Sequence, residues 1–217
     1  MTRLESRALA MTRSALLLAL GLQLISPARA QPQILSLYVD PCVTIEREKF
    51  HQLLAIELGA VANMQPLWAA HEPQMDDLCI PFLGPERARW QYPFGALVRH
   101  GARLVMGSDW PVSSPAPFEA IHTAVNRTSY GEHGRGGTEA FLPEHAVDLV
   151  TALAAYTSGS AWINGREAEV GTLAPGREAD LVVLDRDPFA GPAAEIGAAH
   201  VVSTWVDGTC VHERPAG

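Results

Sequence analysis

One stretch constrains this chain more than any other: Arg103-Leu104-Val105-Met106-Gly107-Ser108-Asp109-Trp110-Pro111. A short continuous apolar run of this kind suits a strand covered on both faces, the pattern of parallel sheet. Two small residues follow it, then an acid. Pro111 has no N–H to give a ladder, so the strand must end before it. The carboxylate of Asp109 is therefore expected at the carboxyl end of a buried strand, where α/β barrels build their chemistry. The same acid also suits a turn former or a helix cap, so the stretch by itself leaves both roles open.

The surrounding chain alternates in type. Phe50, Leu53, Leu54 and Leu58 recur at helical spacing before Gly59. Ala60-Val61-Ala62-Asn63-Met64-Gln65-Pro66 reads as a strand closed by proline, with Gln65 near its carboxyl end. Residues 67–84 form a long loop carrying Trp68, His71, Asp76 and Asp77, of the length that often serves binding. A helix is expected over 85–99, opened by Pro85, and then the Asp109 strand. A helix over 117–127, a Gly-rich polar loop over 128–138 and a long helix over 143–162 complete the order. Strands alternating with helices imply parallel sheet and an α/β class.

After Gly165 the character changes. Residues 170–173 and 179–185 read as short strands around Pro175-Gly176, and 201–206 and 209–211 flank the hairpin turn Asp207-Gly208. The expected organisation is a signal peptide over 1–30, an α/β domain over 31–165 and a small β tail over 166–217. Three arginines, an apolar run over 15–25 and the ending Ala28-Arg29-Ala30 carry the first of these. Export implies a secreted or periplasmic protein with no membrane attachment after cleavage, and a mis-assigned start implies a cytoplasmic one. A net charge of −8 disfavours a nucleic-acid partner. Cys42, Cys79 and Cys210 are scattered, without the spacing of a disulfide framework or a zinc knuckle, and read as free thiols.

Several separated motifs then carry a family likeness. Gly171-Thr172-Leu173-Ala174-Pro175-Gly176-Arg177-Glu178-Ala179-Asp180-Leu181-Val182-Val183-Leu184-Asp185 resembles the tail signature of the amidohydrolase superfamily. Gly107-Ser108-Asp109-Trp110-Pro111-Val112 resembles its strand-eight motif. Val61-Ala62-Asn63-Met64-Gln65-Pro66-Leu67-Trp68 and Leu83-Gly84-Pro85-Glu86-Arg87-Ala88 are similar to amidohydrolase family 3, the branch of N-substituted formamide deformylases. The likeness runs over residues 58–211. It implies the C-terminal part of a metal-dependent TIM barrel, its last two βα units, followed by a small β-sandwich tail. The implied activity is hydrolysis of carbon–nitrogen bonds other than peptide bonds, on a small-molecule amide. The implied cofactor is a divalent metal, zinc first, which turns bound water into hydroxide near neutral pH. Asp109 matches the family's strand-eight acid, which touches that water and carries its proton to the leaving nitrogen; it is the catalytic and metal-binding candidate. Gln65, Trp68, Arg87 and Trp110 are the candidate substrate-binding residues, with core packing and a solvated helix face as the plainer roles for Trp68, Trp110 and Arg87.

The other ligands of that family do not appear. The chain contains no His-x-His, and the segment Asp40-Pro41-Cys42-Val43-Thr44-Ile45-Glu46-Arg47-Glu48, where a strand-six histidine would lie, has none. Of the eight histidines only His71 is expected near Asp109. A catalytic zinc takes about three protein ligands. The chain is therefore read as a truncated relative, either a hydrolase or an inactive remnant serving as a binding module, with self-association through exposed strand edges. An unrelated exported α/β binding protein is the third reading.

Overall fold

A computed structural model describes residues 61–131 and 139–215. The expected signal peptide, the helix ending at Leu58, Cys42, His51 and His133 lie outside the described residues. The described ones belong to one compact unit, Glu48–Gly217.

Two strands anticipated from apolar runs form and pair. Strand β1 (Val61–Met64) lies parallel to β2 (Arg103–Met106), with Val61 opposite Arg103 and Met64 opposite Met106. The Gly107 N–H donates to the Met64 carbonyl at 3.0 Å, carrying the ladder one step past β2. Leu104, Val105 and Met106 are buried, as a strand covered on both faces requires.

The long loop expected over 67–84 is instead a string of short helical turns. A 3-10 turn (Pro66–Trp68) leads to α1 (Pro73–Leu78), α2 (Ile80–Leu83) and α3 (Pro85–Ala88). Proline stands in the first two positions of each, where its fixed φ favours a start and its missing N–H costs nothing. Gly84, at φ 72° and ψ 162°, ends α2 just before Pro85. The single helix expected over 85–99 is two pieces, α3 and α4 (Phe94–Arg99). Tyr92, at φ 50°, breaks it before Pro93.

Beyond β2, α5 (Pro117–Asn126) ends on Arg127 in the left-handed region at φ 57°. The long helix expected over 143–162 is also divided. A 3-10 turn (Pro143–His145) is followed by extended Ala146, and α6 (Leu149–Ala154) starts only where the Asp148 carboxylate accepts the Thr151 N–H at 2.7 Å. A π turn (Ala155–Gly159) joins α6 to α7 (Ser160–Ile163). Side-chain hydroxyls of Thr157, Ser158 and Ser160 donate to the carbonyls of Leu153, Ala154 and Ala155, competing with the regular helical ladder.

Gly159 is where this turn meets the sheet. A Cβ there would stand 2.5 Å from the Leu104 carbonyl oxygen. Gly159→Ala gains about 1 kcal/mol in helix propensity, but the partner is strand backbone and cannot swing aside. Overpacking of this kind costs about 1–3 kcal/mol. The variant is expected to melt below the wild type in a thermal scan, and an unchanged midpoint would show that this contact is slack.

The core gathers between β2 and the helices: Leu104, Met106, Phe94, Phe118, Ile121 and Ala155 form one cluster. In the tail, β3 (Leu181–Leu184), β4 (Val201–Val206) and β5 (Thr209–Glu213) make an antiparallel sheet in sequence order. The β4–β5 hairpin turns on Asp207 and Gly208, both at positive φ, as the sequence implies. Residues 170–173 do not form a strand. Gly171, at φ 88°, turns the chain against Ala161, and the Arg177 guanidinium takes the carbonyls of Glu167 and Val170 that a sheet neighbour would have used.

Two histidines are structural. His122 is buried between Thr128, Asn126 and the Tyr130 ring. His145 is buried with Nε2 on the Arg89 carbonyl at 3.0 Å, while its Nδ1 has no hydrogen-bond partner. Burial holds both imidazoles below the usual histidine range, since it penalises the cation. Below about pH 6.5 the unfolded chain therefore binds protons that the folded chain refuses, and stability falls with pH. Glu72 acts in the opposite sense at lower pH, because burial and then Asp76 push its carboxyl up. The urea midpoint is expected to drop between pH 7.5 and 5.5, and one that rises would contradict these environments.

Candidate active site

The parallel register sets the geometry of the candidate site. With Met64 opposite Met106, Gln65 and Gly107 leave the two strands at one common carboxyl edge. Gln65 is half-buried, and its carbonyl accepts the Trp68 N–H at 3.3 Å, folding the chain into the Pro66–Trp68 turn. Trp68 is half-buried on that turn, which packs against α5.

The segment after β2 is closed upon itself. Trp110 N–H donates to the Ser108 hydroxyl at 3.3 Å, the Ser113 hydroxyl donates to the Ser108 carbonyl, and Val112 N–H donates to the Asp109 carbonyl at 2.9 Å. Asp109 itself stands at φ 55°, a left-handed conformation that aspartate tolerates better than most residues. The Trp110–Pro111 bond is cis. This frame is built from backbone and serine hydroxyls, so the Asp109 carboxylate is left exposed, without a hydrogen bond or ion pair among the described residues. Trp110 and Val112 stand beside it at 67% and 73% exposure.

Arg87 is exposed on α3, and its guanidinium is turned toward the end of α2. Its Nε donates to the Leu83 carbonyl at 2.7 Å and its Nη2 to the Phe82 carbonyl at 3.5 Å. The structure thus brings Gln65 and Asp109 to one edge with Trp68 and Trp110 on the segments just beyond, and gives Arg87 a capping contact. His71 lies in the same β1 connection, with Nδ1 2.8 Å from an Asp76 carboxylate oxygen. Among the described residues no group of three or more His, Cys, Asp or Glu side chains could hold a metal ion. Cys79 and Cys210 are free, the first half-buried and the second exposed.

A residue that sequence reasoning placed only at a helix end organises this side of the molecule. Arg127 is fully buried; its Nε donates to the Phe141 carbonyl at 2.7 Å, Nη1 to Tyr92 at 3.1 Å and Nη2 to Gln91 at 3.3 Å. The Phe94 and Phe141 rings lie 5.2 and 5.5 Å from the guanidinium carbon. Burial lowers its pKa to about 10, still charged at neutral pH. Its helix-end position, followed by Thr128 and Ser129, gave no hint of burial.

The model of the amidohydrolase family matches residues 54–212. The chain belongs to the amidohydrolase family. The match falls on the region where the motifs resemble family 3, and the relatives agree. The chain is 33% identical over 123 residues to the N-substituted formamide deformylase of Arthrobacter pascens, an alignment covering 57% of this chain and 22% of that protein. It is 32% identical over 154 residues to the protein LONG AFTER FAR-RED 3 of Arabidopsis thaliana, covering 70% of this chain and 25% of the relative. Among solved structures, a metal-dependent hydrolase from Pyrococcus horikoshii OT3 superposes with a TM-score of 0.52 at 28% identity, over 63% of this chain and 26% of that one. This amidohydrolase chain therefore spans about a quarter of the length of these relatives.

A divalent metal is the group this family implies. Asp109 fits one ligand position, being an unpaired carboxylate at a strand end. The described residues do not fit a whole site, because one carboxylate falls short of the three or so ligands a catalytic zinc takes.

Proposed function

We propose that this amidohydrolase chain carries the proton-handling edge of a site that hydrolyses carbon–nitrogen bonds other than peptide bonds, on small-molecule amides. The observation that carries the reading is Asp109, an unengaged carboxylate delivered to the carboxyl edge of a parallel pair by a turn that satisfies everything around it. A carboxylate so placed accepts a proton from the attacking water and returns it to the departing nitrogen, which cannot leave as an anion. Trp110 and Trp68 offer apolar walls for the substrate's substituent, Gln65 an amide to orient its carbonyl, and Arg87 a cation for an acidic group.

In this reading β1 and β2 with their helices are the last two βα units of a TIM barrel, and β3–β5 belong to its sandwich tail. Support comes from the parallel register and from the likeness to a metal-dependent hydrolase. A divalent metal, zinc first, would take Asp109 as one ligand and the rest from groups other than the described ones.

The test is release of aniline and formate from formanilide by the purified chain with zinc supplied. Turnover supports the reading. Its absence at saturating zinc favours a second one, an amidohydrolase relative that binds without catalysis, which the lack of a three-ligand cluster among the described residues already recommends.

A further inference from the structure

The outer edge of β2 is occupied by the chain itself. The Gly107 N–H faces β1, where it donates to the Met64 carbonyl at 3.0 Å. Backbone groups alternate between the two edges of a strand, so those of Val105 also face β1 while those of Leu104 and Met106 face away from it. Both outward carbonyls meet the π turn and the residue after it. A Cβ on Gly159 would stand 2.5 Å from the Leu104 oxygen and 3.6 Å from the Leu104 carbonyl carbon. The second distance exceeds the first by nearly a whole C=O bond, about 1.2 Å, so this carbonyl points at Gly159 and does not lie beside it. The Met106 carbonyl oxygen lies 3.4 Å from the Ser160 hydroxyl, which shares its proton with the Ala155 carbonyl at 3.1 Å. Gly159 is buried in this contact.

We propose that Gly159 and Ser160 form an edge guard, which keeps β2 from pairing with the β2 of a second copy of this chain. The inference does not depend on the hydrolase reading. The strand is self-complementary. In an antiparallel pair about a two-fold axis Arg103 falls opposite Met106 and Leu104 opposite Val105, so apolar residues face one another and no like charges meet. The strand also lacks the devices that blunt an edge: it holds no proline, its register with β1 runs without a bulge, and its one charge stands at its first position. Protection at this edge therefore falls to the π turn. Its hold is light, a long shared hydrogen bond and a close approach that only glycine allows. The hydroxyls of Thr157 and Ser158 already draw on helical carbonyls there, so the turn is the weakest step between α6 and α7. Strand-edge association through β2 is thus conditional on the guard.

Sedimentation of the intact chain tests this. Gly159→Val sets a branched side chain against the Leu104 oxygen and is expected to lift the turn. The association constant for dimers should then rise about tenfold over the wild type, the worth of roughly one hydrogen bond with its packing. Isotope-filtered NMR on a mixture of labelled and unlabelled chains should show Leu104 against Val105 across the dimer, which general aggregation would not give. A folded valine variant that associates no more than the wild type overturns the proposal, and so does a dimer whose contacts lie away from β2. Should the valine variant not fold, Ser160→Ala decides, since it removes the hydroxyl and adds no bulk. A rise in association through β2, smaller than tenfold, supports the guard, and wild-type association overturns it.

Discussion

Arg127→Met is expected to cost this protein about 3 kcal/mol or more of stability. Three carbonyl oxygens, of Gln91, Tyr92 and Phe141, accept from the one guanidinium. The Gln91 and Phe141 carbonyls would lose their donor, at about 1–3 kcal/mol apiece, while the Tyr92 carbonyl keeps the Phe94 N–H at 2.9 Å. The flanking rings of Phe94 and Phe141 add about 1 kcal/mol each as cation–π contacts. Against this stands the relief of no longer burying a cation, worth roughly 3 kcal/mol for a pKa that burial lowers to about 10. The hydrogen bonds win because they join three separate segments. The break at Tyr92 that separates α3 from α4 is held open by this side chain, so losing it loosens both helices. A thermal midpoint lower by roughly 6–12 °C follows for a chain of this size. Arg127→Lys should not rescue it, since a single ammonium on a flexible stem cannot span three carbonyls in a fork. A methionine variant melting with the wild type would show that the three carbonyls find other donors.

Arg127 also shows where the sequence stops being readable. The strands were legible because apolar runs such as Leu104-Val105-Met106 and Val61-Ala62 need only local pattern, and the Asp207-Gly208 hairpin because two adjacent residues carry its backbone demand. The long helices expected over 85–99 and 143–162 failed for a different reason. Their interruptions are held by tertiary contacts: Arg127, far along the chain, donates to the Tyr92 carbonyl, and the Val147 N–H donates to the Ala124 carbonyl of α5 at 3.1 Å. Apolar spacing cannot announce either. Pro85 opens a helical turn as its position implied, but Pro66 was read as the end of a strand and Pro73 and Pro81 were left inside a loop, when each also opens a short helical turn.

The candidate site divides along the same line. Asp109 was legible from a run of nine residues, since strand, small residues, acid and proline are all local. That Gln65 shares its edge follows from the parallel register, which the alternation of elements implied. The capping role of the Arg87 guanidinium on Leu83 and the pairing of His71 with Asp76 depend on how the short turns pack, which local spacing does not carry.

The largest expected effect on activity falls on Asp109. A general base and acid supplies about 10²–10⁴-fold in rate, or about 3–5 kcal/mol of barrier. Asparagine keeps the size of aspartate and its tolerance of the left-handed region, so the turn through Val112 should survive. Because the carboxylate is exposed and engages no other group among the described residues, Asp109→Asn should change stability by less than about 0.5 kcal/mol. The measurement that bears most directly on the hydrolase reading is therefore formanilide turnover by wild type and Asp109→Asn side by side, with zinc supplied and melting recorded for both. Turnover at least 100-fold lower in a variant that melts like the wild type is the predicted result; a variant that hydrolyses formanilide as fast as the wild type would contradict the role given to this carboxylate.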